Sequence, residues 1–321
     1  MKLAVVSICK DEAETIEELI RRMPKVIPGI SLIDIIVIND GSTDKTAQLA
    51  EKAGALVYGN NTPKGLANRF REAVSIVLQR GYDIMVNIDG DLQFAPEDIS
   101  KFVAPIVNDE VDFVAADRFT DPETGRQRRP LNMPVAKYYG NKLGSWLVGQ
   151  LSQESFRDVT SGFRAYNQSA LYALNINGTH TYTQESFQML AAKKMRIKAL
   201  PVVVTYFNDR KSRVVTSIPT YIAISTMNIL RAFRDFAPLK FFMILGAVPF
   251  AMGLICVIFL GIHWLRTDSF TPYKFVGFTG VYLISLGVFF WALGLVADML
   301  VRVLNTQEKV YEVIRRLSHR M

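Results

Sequence analysis

Cysteine and histidine are scarce in this chain, two of the first and three of the second among 321 residues. Cys9 lies near the amino terminus and Cys256 inside a long apolar run, so no disulfide framework is implied, which fits a reducing cytosol. His180, His263 and His319 are scattered without ligand spacing, and no chemistry is assigned to them. Gly-x-Gly-x-x-Gly is absent, which argues against a dinucleotide oxidoreductase. The first apolar stretch is followed by Lys10-Asp11-Glu12-Ala13 rather than a Gly-rich, Arg-bearing loop, which sets aside a sugar-nucleotide pyrophosphorylase. Gln-x-x-Arg-Trp is missing too, the tryptophans being Trp146, Trp264 and Trp291, so a processive polysaccharide synthase is disfavoured. The opening run Met1 to Ile8 is too short for a signal peptide and reads as a buried strand.

Charge is missing from two long stretches, Phe241 to Ile262 and Phe275 to Ala297. Each is long enough to cross a bilayer as a helix, which takes about 20 residues. Cations flank them: Arg231, Arg234 and Lys240 before the first, Arg302, Lys309, Arg315, Arg316 and Arg320 after the second. The connecting loop carries only Arg266 and Lys274, so positive-inside bias predicts that both termini are cytoplasmic. The net charge of +7 is therefore read as membrane-flanking, with no nucleic-acid partner. Asp298 is expected to pair with Arg302 near the end of the second span. Between 214 and 236, Val215, Ile218, Ile222, Met227, Leu230 and Phe233 recur at roughly helical spacing, which suits helices lying in the membrane interface.

Ahead of these lies an alternation of apolar strands and amphipathic helices. Strands are expected at Lys2 to Ile8, Ile33 to Ile38, Ala55 to Tyr58, Tyr82 to Ile88 and Val111 to Ala115, with helices at Glu14 to Met23, Lys45 to Ala53 and Leu66 to Gln79. The order predicts a doubly wound α/β layer, whose ligands bind beyond the carboxyl ends of the strands. Three polar clusters, at 10 to 12, 39 to 44 and 89 to 93, fall at such ends. The last is Asp89-Gly90-Asp91-Leu92-Gln93, in which two carboxylates and an amide can share a hard divalent cation while phosphate oxygens and water complete its shell.

In order and spacing, Lys10-Asp11-Glu12, Asn39 to Asp44, Lys64-Gly65 and Asp89 to Gln93 resemble the nucleotide-sugar domain of glycosyltransferase family 2, with its GT-A fold. The run Asp158-Val159-Thr160-Ser161-Gly162-Phe163-Arg164-Ala165-Tyr166 is similar to the signature of its polyprenyl-phosphate glycosyltransferases, the group of dolichol-phosphate mannose synthases and bactoprenol glucosyltransferases. The resemblance implies a nucleotide-sugar pocket over Ile8, Lys10, Glu12, Asp40, Lys64, Asp89 and Gly90, with Glu12 and Asp40 on base or ribose. It implies Mg²⁺ or Mn²⁺ on Asp89, Asp91 and Gln93. The chain departs from the family pattern with Ile8-Cys9-Lys10 where Pro-x-Tyr is common, with Asn39-Asp40 where Asp-Asp is usual, and with Arg210-Lys211-Ser212-Arg213 for Gly-x-Ser-Lys.

The expected reaction is metal-dependent, inverting transfer of a hexose from UDP-glucose or GDP-mannose to a polyprenyl phosphate, undecaprenyl or dolichyl, at the cytosolic membrane face. Another lipid acceptor, a non-catalytic scaffold and a lipid-sugar transport subunit are the alternatives. Asp158 is the candidate catalytic group, either a base or a positioning residue. Arg118, Arg128 or Arg129, with Arg210, Lys211 and Arg213, are candidates for the acceptor phosphate, because guanidinium groups match phosphate oxygens bidentately. Gln184-Glu185, ahead of a helix, is either a donor contact or a cap. The expected organisation is a cytosolic catalytic domain over 1–210, amphipathic helices over 211–238, a transmembrane hairpin over 239–303 (spans about 239–264 and 275–300) and a basic cytosolic tail over 304–321. Seven small hairpin residues, Gly246, Ala247, Gly253, Gly277, Gly280, Gly287 and Gly294, suggest close packing in a homo-oligomer.

Overall fold

The computed structural model describes residues 1–152, 155–176, 182–206 and 237–318, with isolated positions between 227 and 235. It divides into two units, 1–223 with 312–321, and 224–311.

The first unit is built on a seven-stranded sheet of order β3-β2-β1-β4-β6-β5-β7. The strands are β1 (Lys2–Cys9), β2 (Leu32–Asp40), β3 (Leu56–Asn60), β4 (Ile84–Asn87), β5 (Phe113–Asp117), β6 (Arg164–Asn167) and β7 (Ile197–Pro201). Between them run α1 (Ile16–Arg22), α2 (Thr46–Lys52), α3 (Leu66–Gln79), α4 (Ile99–Val107), α5 (Val135–Ser152), α6 (Gln168–Ala173) and α7 (Thr183–Ala192). The near-continuous apolar runs of β1 and β2 are covered on both faces, as parallel strands require. Leu3 and Val5 of β1 pack with Leu19 of α1 and Phe102 of α4, whereas Ala4 and Val6 pack with Phe70 and Val74 of α3 and with Leu190 of α7. Period-two alternation thus divides one strand between two cores. Phe70, wholly buried, contributes roughly 1.5–3 kcal/mol by leaving water.

The expected α/β class holds, and the mixed character of the sheet is new. β6 runs antiparallel to both β4 and β5, pairing Asn87 with Arg164 and Arg164 with Ala115. This reversal brings the start of β6 to the same sheet edge as the ends of β1, β2, β4, β5 and β7. The expected boundaries shift by one or two residues: α1 starts at Ile16, β2 extends to Asp40 and β5 to Asp117, while α3 spans the expected Leu66–Gln79.

The second unit contains α8 (Pro238–Thr267) and α9 (Lys274–Ser318) up to Tyr311. Pro238–Thr267 and Lys274–Leu304 are long and apolar enough to cross a membrane, with mean hydropathies of 2.6 and 2.1. The region expected as a separate basic tail from 304 continues α9 as helix. Arg302 donates to Asp298 at 3.1 Å, as the four-residue spacing predicts. The glycines expected to serve contacts between copies are used inside the hairpin. A Cβ on Gly246 would lie 2.7 Å from the Gly287 carbonyl oxygen, and one on Gly253 would lie 2.6 Å from that of Gly280. Small residues let the two backbones approach where lipid gives no hydrophobic drive. Most of the interface helices expected over 211–238 fall outside the described residues.

Candidate active site

Each polar cluster singled out in the sequence stands at one edge of the sheet, because each follows the carboxyl end of a strand pointing there. After β1, residues 10–13 lace onto the loop after β2. The Asp11 amide donates to Ser42 Oγ at 3.0 Å, the Glu12 amide to Thr46 Oγ1 at 2.7 Å, and the Thr43 amide to Asp11 Oδ1 at 2.7 Å. Asp44 accepts from the Thr46 amide at 2.9 Å, one of the capping oxygens expected there, although Lys45 occupies the cap position itself. Thr15 Oγ1 donates to the Gly90 carbonyl at 2.8 Å and to Glu12 Oε2 at 3.3 Å, so Thr15 links Glu12 to the turn after β4.

Asp40 ends β2 and is satisfied by the protein around it. Its carboxylate accepts from the Lys64 and Gly65 amides at 2.7 and 3.2 Å and from Arg69 Nε at 3.0 Å. Arg69 is wholly buried and also reaches Glu72 and the Thr62 carbonyl. The expected pair Asp40 and Lys64 therefore meet, but through the Lys64 backbone; the Lys64 ammonium lies 3.5 Å from Glu72. Arg69 escaped notice in the sequence because an arginine within a helix reads as a solvated position.

The turn Asp89 to Gln93 follows β4. Asp91 Oδ1 accepts from the Gln93 amide at 3.1 Å, which folds the turn. Two glycines make room for it: a Cβ on Gly90 would lie 2.7 Å from Cys9 Sγ, and one on Gly162 would lie 2.6 Å from Asp89 Oδ1. Burial raises the Asp89 carboxyl above its usual range, and the neighbouring Asp91 raises it further, against the opposing charges of Arg118 and Arg164. Among the described residues no group of three His, Cys, Asp or Glu converges as a closed metal cage. Two carboxylates too close to be comfortably ionised together, with an amide beside them, fit a hard divalent cation whose shell is finished by ligand oxygens. Behind the turn, Asn87 Nδ2 donates to the Gly162 carbonyl and the Tyr182 hydroxyl, both at 2.9 Å, while Asn87 Oδ1 is buried without a partner.

Across from this turn stands a second buried carboxylate. Asp158 accepts from Arg118 Nε at 2.6 Å and Nη2 at 2.9 Å, a bidentate pair between side chains almost sealed from solvent. Burial pushes the Asp158 carboxyl up, but the Arg118 guanidinium more than offsets this and holds it below the usual range. Arg118 also donates to Thr160 Oγ1 at 2.5 Å and to the Tyr206 hydroxyl at 3.2 Å. The residues expected as acceptor ligand and catalytic group are thus each other's partners. Tyr206 in turn carries Lys137, whose ammonium stands 5.1 Å from the ring centroid. Partial burial lowers the Lys137 pKa and nearby Arg118 lowers it further, against the pull of Asp91 and Asp158. Neither Tyr206 nor Lys137 was singled out in the sequence: one follows a strand, the other opens a helix, and only the fold brings them to Arg118.

Arg164 is a further cation that sequence reasoning gave no role. Wholly buried, it donates to the carbonyls of Ser161 and Val159 at 2.7 and 2.9 Å and to Ser186 Oγ. It thereby shapes the loop that holds Gly162 against Asp89. Arg128 and Arg129 lie on the loop before α5, exposed; Arg128 pairs with Asp121 at 2.7 Å, and Arg129 donates to the Met133 carbonyl at 3.0 Å. Neither of these contacts involves Arg118. Arg210, Lys211 and Arg213 lie outside the described residues. Gln184 and Glu185 sit in the first turn of α7, where Tyr182 at the cap position makes no side-chain capping bond.

Residues 4–174, which carry all these strand-end clusters, match the family described as Glycosyl transferase family 2. The chain belongs to this family. It is a glycosyltransferase, similar over its length to glycosyltransferase AglJ of Haloferax volcanii, at 28% identity covering 94% of each chain. It is also similar to the UDP-N-acetylglucosamine–dolichyl-phosphate N-acetylglucosaminyltransferase of Methanococcus voltae, at 28% identity over 59% of this chain and 82% of that one. Among solved structures, glucosyl-3-phosphoglycerate synthase of Mycobacterium tuberculosis, held with Mn²⁺, UDP and glucosyl-3-phosphoglycerate, superposes with a TM-score of 0.52 at 18% identity. The match covers 71% of this chain and 79% of that one, and establishes the GT-A fold of the glycosyltransferase.

Proposed function

We propose that this glycosyltransferase moves a hexose from a nucleotide-diphosphate sugar, UDP-glucose or GDP-mannose, to a polyprenyl phosphate, with inversion at the anomeric carbon, at the cytosolic face of a membrane. One observation carries the reading. A carboxylate turn suited to a diphosphate-bound cation and two cations, Arg118 and Lys137, gathered around Tyr206 lie at one sheet edge, in a chain that continues into two membrane-length helices. Relatives whose names specify dolichyl phosphate as acceptor support it.

Asp89, Asp91 and Gln93 would hold Mg²⁺ or Mn²⁺, which when bound withdraws charge from the departing diphosphate. Ile8, Lys10, Glu12, Asp40, Lys64 and Gly90 border the nucleotide side. The acceptor needs little help with its proton: a phosphomonoester has a second pKa near 6, so it arrives largely dianionic. Asp158, held ionised against Arg118, has no proton-transfer work to do here. It positions the guanidinium, which with the Lys137 ammonium would receive the incoming phosphate, with Arg128 or Arg129 and Arg210, Lys211 and Arg213 as further cations. Positioning of this kind governs rate through near-attack geometry.

The test is transfer of labelled sugar from UDP- and GDP-sugars to a polyprenyl phosphate by the full chain in detergent or vesicles. The expected result is a chloroform-soluble glycolipid, formed with Mn²⁺ or Mg²⁺ and lost in excess EDTA. Full turnover in EDTA, or transfer only to a water-soluble acceptor, overturns the proposal. A thermal-shift screen of UDP, GDP and their sugars selects the donor, because ligands that bind the folded state raise its stability by mass action.

A further inference from the structure

β4 carries one residue that its packing does not ask for. Ile84, Met85 and Val86 fill a central strand covered on both faces, and the next position, Asn87, is 2% exposed. An apolar side chain is the ordinary occupant of such a place, because a buried amide must find partners for its hydrogens and its carbonyl oxygen. Asn87 finds them for one end only. Both Nδ2 hydrogens are used, on the Gly162 carbonyl and the Tyr182 hydroxyl, each at 2.9 Å, while among the described residues Oδ1 meets no donor. Folding alone is poorly served by this amide, which directs attention to what its two hydrogens hold.

They hold parts of the site. Asn87 stands two residues before Asp89. Gly162 lies so near that a Cβ on it would be 2.6 Å from Asp89 Oδ1, and it belongs to the loop that begins at Asp158. Arg164, opposite Asn87 in the ladder, fixes the carbonyls of Val159 and Ser161, and Asn87 adds a third restraint on the carbonyl of Gly162. Tyr182 immediately precedes α7, whose first turn carries Gln184 and Glu185. Its wholly buried ring stacks on Phe70 of α3, with centroids 3.8 Å apart and planes 3° apart, so the hydroxyl has little freedom. Burial, helped by nearby Asp89, pushes this phenol well above its ordinary pKa. It keeps its hydrogen, and its oxygen lies 3.5 Å from the Gly162 carbonyl. One amide thus ties together three segments that are distant in sequence.

We propose that Asn87 is a positioning residue for the Asp89 turn: through Gly162 and Tyr182 it sets the gap between the 158–162 loop and the Asp89 carboxylate. Groups that orient a metal-ligating carboxylate from behind commonly change metal affinity or activity by about 10–100-fold when removed. The clamp is a property of the chain without ligand, whereas its consequence for a bound cation rests on the proposed function. Two readouts separate them.

Asn87→Val and Asn87→Ser each remove both donors, the first with a side chain that a central strand favours; Tyr182→Phe keeps the stacked ring and removes one hydroxyl. Hydrogen exchange of the ligand-free full chain in detergent is followed by mass spectrometry, beside melting curves and the Mn²⁺ concentration that half-saturates the thermal shift of the UDP-bound protein. The expected result is faster exchange confined to 88–93 and 158–163 in both Asn87 variants, with a smaller effect in Tyr182→Phe. Melting temperatures should stay within about 5 °C of wild type, because the orphaned carbonyl leaves with its amide. The Mn²⁺ requirement should rise about 10–100-fold, while stabilisation by UDP without metal is unchanged. Unaltered exchange in both Asn87 variants overturns the proposal. So does a fall in melting temperature beyond about 5 °C in both, which would make Asn87 a structural residue. Faster exchange with an unchanged Mn²⁺ requirement overturns it as well, since the gap would then not govern the cation. A wild-type chain indifferent to Mn²⁺ would sink the proposed function instead, and the exchange result alone would decide on the clamp.

Discussion

Two buried carboxylates stand on one sheet edge and live under opposite electrostatics. Asp158 is neutralised within the protein by a bidentate guanidinium, which holds its carboxyl below the usual range. Asp89 shares its turn with a second acid, and burial together with Asp91 raises its carboxyl. The Asp158 pair is complete in the folded chain, so its worth is structural and orientational. The Asp89 turn sets two acids side by side, and under the proposed function a divalent cation with a diphosphate would balance them.

The comparison breaks first at the Asp89 turn. Asp89→Ala and Asp91→Ala should each lower transfer at least ~1,000-fold, since loss of a metal-held diphosphate removes several kcal/mol from the transition state. Folding should remain intact, and Mn²⁺ should no longer raise the melting temperature of the UDP-bound protein. Turnover above a tenth of wild type in either variant would mean that the turn does not hold a cation. The complete site predicts the reverse balance. Arg118→Ala leaves Asp158 buried and unpaired, at a cost of about 3–5 kcal/mol in denaturant melts. Replacing both partners, Arg118→Met with Asp158→Leu, should recover most of that stability and none of the activity.

The same pair sets a pH dependence. Folded Asp158 binds a proton less readily than unfolded Asp158, so its contribution is present above the usual carboxylate pKa and lost as pH falls through its lowered value. Acid melts of Asp158→Asn should therefore show less loss between pH 4 and the acid limit than wild type, and parallel curves would remove the pairing from the account. A smaller effect is expected from Gly162→Ala. Its Cβ would press on Asp89 Oδ1, shifting the turn and lowering transfer about 10–100-fold with little change in melting. The smallest belongs to the far end of β4, where the Tyr82 hydroxyl donates to Asp34 at 2.6 Å. Burial and Asp34 push that phenol up to about 12. Its bond contributes fully below the ordinary tyrosine pKa, and that contribution is lost as pH rises from there through about 12. Tyr82→Phe should cost about 1 kcal/mol at neutral pH, converge with wild type in strong alkali, and leave transfer unchanged.

How much could be read in advance follows from the range of each signal. The strands β1, β2 and β4 and the helix α3 were legible because apolar periodicity is local. Their strand-end clusters were legible because the α/β rule places ligands there. β6 was not, since four residues, Arg-Ala-Tyr-Asn, carry no alternation strong enough to announce an antiparallel insertion. Arg164 and Arg69 were missed for a related reason: burial of a cation depends on carbonyls and carboxylates brought from other segments. Arg118 and Asp158 were both singled out, yet forty positions apart they gave no sign of being partners. The hairpin glycines were noticed for their size, but only helix contact shows which surface they serve.

Chain order alone determined the class of fold, the membrane-length helices and the chemistry available at Asp89-Gly90-Asp91, because each depends on residues adjacent in sequence or one helical turn apart. Tertiary structure decided which acid is satisfied and which is left for a ligand, and which amide holds the Gly162 carbonyl. Ion pairing and desolvation act through space, and the distances that set them exist only after the chain has closed.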